Sequence, residues 1–185
     1  GPSGTGKTSI IDVICGLLPS KSKMIVDGNS INFFENINWQ QNISHLPQNT
    51  LLTDSSILEN IAYGEKIDEI DINRVHSAAK KANIFEFISK SPNGFQTKIG
   101  EKGIKISGGQ RQRISIAKLF YLDKKIFILD ESTNALDKEN EEKIFESLKK
   151  NNNGKIIIAI NHNLSMHKYF DHIYEIKDKK FILIK

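Results

Sequence analysis

The chain has 185 residues, a formal net charge of +4 and a pI near 9.0, enough for one domain, or a core with an inserted subdomain, around a sizeable interior. Its positive charge is scattered lysine with only three arginines, Arg74, Arg111 and Arg113, which is not the clustered stripe of a nucleic-acid binder. A single cysteine, Cys15, leaves no disulfide framework or cysteine metal cluster, and no apolar run approaches the roughly 20 residues of a membrane helix.

The first eight residues, Gly1, Pro2, Ser3, Gly4, Thr5, Gly6, Lys7 and Thr8, read G-x-x-x-x-G-K-[ST], a phosphate-binding loop. Glycines let the backbone turn its N–H groups onto a polyphosphate, and the helix that follows adds the positive end of its dipole. Lys7 reaches the β- and γ-phosphates, the Thr8 hydroxyl is a magnesium ligand, and Ser9 completes the helix start. Such a loop joins a strand to a helix, so a strand is expected ahead of Gly1 and the chain reads as a fragment of a longer polypeptide. That leaves an expected empty slot in the sheet beside the 126–129 or the 156–160 strand, and a fragment that folds weakly alone.

The spacing predicts a helix over 7–18, with Ile10, Ile11, Val13, Ile14 and Leu17 inward. Strand candidates follow at 24–26, before Asp27-Gly28, and at 43–46, stopped by Pro47-Gln48. From about 54 to 121 the period is helical: Ser56-x-x-Glu59 has capping-box spacing, Ile72, Val75, Ala79 and Ala82 share a face, and a piece around Phe85, Phe87 and Ile88 ends at a Pro-Asn-Gly turn. The apolar run 126–129 reads as a central parallel strand, 138–150 as an amphipathic helix with Ile144, Phe145 and Leu148 inward, 156–160 as another buried strand, and 172–184 as a hairpin.

Two further features carry chemistry. Asp130 and Glu131 end the strongest apolar strand, at the sheet edge where open α/β folds bind ligands. A strand of four apolar residues ending in Asp is the Walker B pattern, whose carboxylate holds Mg²⁺, and Glu131 beside it is placed to deprotonate a water. In Ile106-Ser107-Gly108-Gly109-Gln110 the serine caps a helix whose first N–H groups two glycines leave bare, a second anion-binding helix start.

With these motifs in this order, the chain resembles the nucleotide-binding domain of ABC transporters over essentially its whole length. Residues 106–110 match the signature motif, Gln48 the Q-loop glutamine, Asn134-Ala135-Leu136-Asp137 the D-loop and His162 the switch histidine. The resemblance implies a P-loop NTPase (RecA-like) α/β fold: a mostly parallel core from 1–52 and 122–185, with an inserted α-helical signature subdomain over 53–121. It implies ATP and Mg²⁺ as ligands and a second nucleotide-binding domain as partner, a homodimer joined head to tail. The phosphate loop of one copy then meets Ser107, Gly108, Gly109 and Gln110 of the other, with Asp137 nearby. Glu131 handles the water, His162 contacts the departing phosphate, and Gln48 senses the metal with Thr8 and Asp130.

Residues 97–103 and 56–64 are similar to exporter segments, and Trp39 with Asn60-Ile61-Ala62-Tyr63-Gly64 resembles flippases of lipid-linked oligosaccharides and polysaccharide exporters. That implies a transmembrane domain in the same polypeptide, a place at the cytoplasmic face of the inner membrane, and a lipid-linked or other amphipathic cargo. Asn134, Asn163 and Lys118 depart from the serine, arginine and arginine that exporters carry there, and the aromatic residue that stacks on adenine would lie before Gly1. The competing readings are a soluble ABC-type ATPase of DNA repair or chromosome maintenance, and a non-hydrolysing ATP-dependent dimerisation module.

Overall fold

The computed structural model describes residues 5–21, 24–177 and 180–185. Gly1, Pro2, Ser3 and Gly4 lie outside the described residues, as do 22–23 and 178–179. Helix α1, Lys7–Ile14, is followed by a β1–β2 hairpin, Met24–Val26 and Asn29–Ile31, the short α2, Ile37–Gln40, and β3, Ile43–Leu46. A helical stretch then runs through α3, Ile57–Ile61, α4, Ile72–Lys81, α5, Phe85–Lys90, and α6, Gly108–Leu122. The chain returns to β4, Ile126–Asp130, α7, Lys138–Lys150, and β5, Ile156–Ile160, and closes with the antiparallel pair β6, Tyr174–Lys177, and β7, Lys180–Leu183.

β3, β4 and β5 form a parallel sheet in that order, with Ile43, Ile126 and Ile156 in register. Side chains alternate across a strand, so β4 feeds two layers at once. Ile126 and Ile128 pack with Ile11 of α1 and Cys15 just after it, while Phe127 and Leu129 join a larger cluster with α3, α4, α6 and α7. The helical stretch shares that larger cluster with the sheet, through Leu46, Phe127 and Leu129 on one side and Ile57, Val75 and Ile114 on the other.

Three expectations need correcting. The first helix stops at Ile14 rather than residue 18, because Gly16 takes a left-handed φ of 73°. There Leu17 N–H returns to the Asp12 carbonyl at 2.8 Å and Gly16 N–H to that of Val13 at 3.0 Å, a Schellman closure. A Cβ on Gly16 would sit 2.2 Å from the Phe33 carbonyl oxygen, so only glycine fits, and Leu17 is turned out to 57% exposure. Ile72 opens α4 on its exposed side while Val75, Ala79 and Ala82 are buried. The 156–160 strand, expected to be buried, is only half so: among the described residues β5 pairs along one edge alone, and Ile156 is 55% exposed. Among the described residues β4 is paired on both edges and β5 on one, and beside β5 a groove of about 1340 Å³ is lined by Ile10, Ile14, residues 156–160 and Phe181.

Candidate functional site

The site forms where three chain crossings end on the same side of the sheet. Asp130, 3% exposed, follows Ile126 and Ile128 in alternation and so faces α1, whose first residues are Lys7 and the exposed Thr8 and Ser9. Gly6 caps that helix with a φ of 89°, a backbone state that favours glycine. Cys15 and His45 stand on the same face. Burial, then Asp12 and Asp130, pushes the Cys15 thiol up to about 12, and burial lowers the pKa of His45 against the pull of Asp130 and Asp12.

One residue on, the chain leaves the strand. Glu131 adopts a left-handed φ of 47° and donates its N–H to the Ile160 carbonyl at 3.1 Å. This is an uncommon state for a residue with a long side chain, and it holds the carboxylate at the end of the sheet. Both of its oxygens are engaged. Oε1 lies 2.8 Å from Nε2 of His162, while Oε2 accepts from the amides of Gln48 at 3.1 Å and Asn134 at 3.3 Å. Gln48 is 83 residues away in sequence and His162 is 31, so the fold gathers three of the sequence-derived candidates into one cluster.

The second helix start is built by a reciprocal cap. Ser107 Oγ accepts from Gln110 N–H at 3.3 Å, and Gln110 Oε1 accepts from Ser107 N–H at 2.9 Å. Ser107 is exposed and the two glycines partly so. The segment 134–137 lies against them: the Ala135 carbonyl is 3.3 Å from where a Cβ of Gly109 would be, and Ala135 N–H donates to buried Gln112 Oε1 at 2.9 Å. Asp137 caps α7, accepting from Asn140 N–H at 2.9 Å and from its side-chain amide at 2.6 Å, and these bonds hold its pKa low. Arg113 ties the same corner together through the Asn83 carbonyl at 2.8 Å and Asn140 at 3.3 Å, with its pKa lowered by burial and supported by Asp137. Lys118 points its ammonium at the Tyr63 ring, 3.7 Å from the centroid, and burial lowers its pKa.

Sequence reasoning missed the residues that hold these loops: Gln112, Arg113, Glu141 and Asn161. Only Glu141 carried a sequence signal, a charged residue sharing the inward stripe of Ile144, Phe145 and Leu148.

A family model described as ABC transporter matches residues 1–134. The chain belongs to the ABC transporter family. It is 42% identical over 167 residues to the heterocyst differentiation ATP-binding protein HepA of Nostoc sp., covering 89% of this chain and 27% of that protein. It is also 42% identical over 166 residues to an ATP-dependent lipid A-core flippase of Saccharophagus degradans, covering 89% of this chain and 28% of the flippase. Among solved structures, a bacterial Atm1-family ABC exporter with ATP bound superposes with a TM-score of 0.89 at 32% identity, over 98% of this chain and 32% of that one. The chain therefore spans between a quarter and a third of the length of these relatives. The fold is that of a P-loop NTPase, and the chain is an ATP-binding domain of the ABC transporter family whose relatives include an exporter and a flippase.

The donor set suits the hard cation that accompanies a nucleotide. No cluster of three or more His, Cys, Asp or Glu side chains able to hold a metal occurs among the described residues. What is present is one buried carboxylate, Asp130, the exposed Thr8 hydroxyl, and the Gln48 side chain, whose N–H is given to Glu131. Magnesium takes one or two such oxygens and completes its shell with phosphate and water, so these residues fit it.

Proposed function

We propose that this ABC domain binds and hydrolyses ATP to drive export through a transmembrane domain of the same polypeptide, at the cytoplasmic face of the membrane. Two copies join head to tail. The phosphate loop, with Thr5, Gly6 and Lys7 at its end, holds ATP in one copy, and the bare helix start at Ser107, Gly108 and Gly109 of the other copy closes over the γ-phosphate. Gly1, Pro2, Ser3 and Gly4 supply the rest of the loop. Gln110 keeps the second helix start rigid, and Asp137 holds the adjoining loop. Thr8, Asp130 and the Gln48 side-chain carbonyl would hold magnesium, which would supply charge neutralisation to the bound triphosphate. Glu131 takes the proton of the attacking water, and His162 donates toward the departing phosphate. The cargo is a lipid-linked or other amphipathic molecule, a reading supported by the flippase among the relatives.

The observation that carries this reading is the convergence on Glu131. A carboxylate gripped at both oxygens by Gln48, Asn134 and His162 is held in one orientation, which is what a positioned base requires. The test is Glu131→Gln in the full-length protein. Turnover should fall about 10²- to 10⁴-fold while ATP binding is kept. Unchanged turnover would remove Glu131 from this role.

A further inference from the structure

Behind the Glu131–His162 pair sits a second carboxylate that no motif names. Glu141, 6% exposed on α7, accepts from Thr133 Oγ1 at 2.8 Å and Asn161 Nδ2 at 2.8 Å on one oxygen, and from Asn163 Nδ2 at 2.7 Å on the other. All three partners are neutral donors. A carboxylate taken out of water is held by bonds to its charged form, and each such bond is stronger than one between neutral groups.

The partners' positions give the cluster its meaning. Thr133 lies two residues after Glu131, and Asn161 and Asn163 flank His162 on either side. Asn163 N–H also closes onto Asn161 Oδ1 at 2.5 Å, and Asn161 Nδ2 reaches Thr133 Oγ1 at 3.3 Å. One buried side chain on α7 therefore grips both loops that carry the catalytic pair, beyond the ends of β4 and β5. We infer that Glu141 is a positioning residue: it sets the separation of Glu131 and His162, and acts on hydrolysis through them rather than on ATP. The inference rests on the roles proposed above for those two residues.

The donor pattern supplies a test with a built-in rescue. In Glu141→Gln the carbonyl oxygen can still serve Thr133 and Asn161, but the new N–H₂ meets the N–H₂ of Asn163. Turning the Asn163 amide over does not relieve this, because its oxygen accepts from Ser165 N–H at 3.1 Å and Ser165 Oγ at 2.8 Å. Asn163→Asp in the same protein puts an acceptor opposite the new donor and keeps the Ser165 contacts. Asn163→Asp alone sets a half-buried carboxylate against the buried one of Glu141.

In the full-length protein, Glu141→Gln should lower kcat about tenfold or more with KM for ATP unmoved, the size typical of losing an orienting partner. Asn163→Asp alone should be worse, and the double variant should recover most of the lost kcat. Glu131→Gln is the control for the underlying roles. If the wild type does not hydrolyse ATP, or Glu131→Gln leaves turnover intact, both the roles and the inference fall. If turnover depends on Glu131 but Glu141→Gln keeps wild-type kcat, raises KM in proportion, or is not rescued by Asn163→Asp, the positioning role alone is overturned. Should Glu141→Gln fail to fold, Thr133→Val decides, since it deletes one donor at constant shape: a several-fold loss of kcat at constant KM supports the inference, and wild-type kcat overturns it.

Discussion

Replacing Gly108 by alanine should separate the stability of α6 from the chemistry we assign to its first turn. Gly108 is the first helical residue after the Ser107 cap, and its φ is not in the left-handed region. A Cβ there would find Ala135 Cβ and Arg111 Nη2, each at 3.7 Å, which is ordinary van der Waals contact. No steric cost opposes the gain in helix propensity, about 1 kcal/mol in a helix interior and roughly half that at a first position. For a domain of this size that is about 1–2 °C in Tm. Gly109→Ala should show no such gain, because its Cβ would stand 3.3 Å from the Ala135 carbonyl, on a backbone that Gln112 fixes. The methyl at 108 occupies the face that is to meet the partner's γ-phosphate, so turnover should fall about 10²-fold, the lower end of losses seen when one hydrogen-bond donor is denied a transition state. Scanning calorimetry and ATP turnover on the full-length protein measure both effects. A lower Tm would refute the packing argument, and retained turnover would refute the assignment of this helix start.

Ser56→Ala removes one half of the α3 capping box and should cost about 1 kcal/mol at neutral pH, read from urea unfolding. The same variant has a pH signature. The Ser56 hydroxyl, then its N–H, holds the Glu59 carboxyl below its ordinary 4.5, so this contribution is present above that value and lost as the pH falls through the folded-state pKa. The advantage of wild type over Ser56→Ala should therefore narrow below about pH 4.5, and an unchanged gap at lower pH would contradict it. The Cys15 thiol, pushed up to about 12 by burial and by Asp12 and Asp130, should resist a disulfide reagent at pH 8 until the protein is unfolded in urea. Rapid labelling of the folded protein would contradict the packing of α1 on β4.

Local rules were the most legible part of the sequence. Both capping boxes have the Ser-x-x-Glu or Ser-x-x-Gln spacing, and both halves of each are bonded. The amphipathic stripe of α7 predicts a helix over 138–150, and those are its bounds. The early end of the first helix was not legible because apolar spacing continues through Leu17 and Leu18, while the turn depends on Gly16 lying against the Phe33 carbonyl, a contact across 17 residues. The exposure of β5 was not legible either, since an apolar run does not say which edge lacks a neighbour. At the site, the resemblance grouped Gln48, Glu131 and His162, and the fold sets them within hydrogen-bonding distance. Glu141 shows in the sequence only as a charge on the inward stripe of α7, and the partners of Glu141 and Gln112 do not show for a physical reason: they lie 8 to 23 residues away on another element, and helix periodicity carries no record of that.

The central claim is that each ATP pocket is shared between two copies, and mixed dimers test it most directly. Lys7→Ala spoils the phosphate loop and Gly108→Asp spoils the signature, so either homodimer has a defect in both pockets. In a head-to-tail dimer made of one of each, both defects fall in one pocket and the other pocket is whole. Full-length variants carrying two different tags, co-expressed and purified through both, should regain ATP turnover that neither homodimer has. Mixed dimers as inactive as their parents would contradict the shared pocket, because a site completed within one chain cannot be restored by its neighbour.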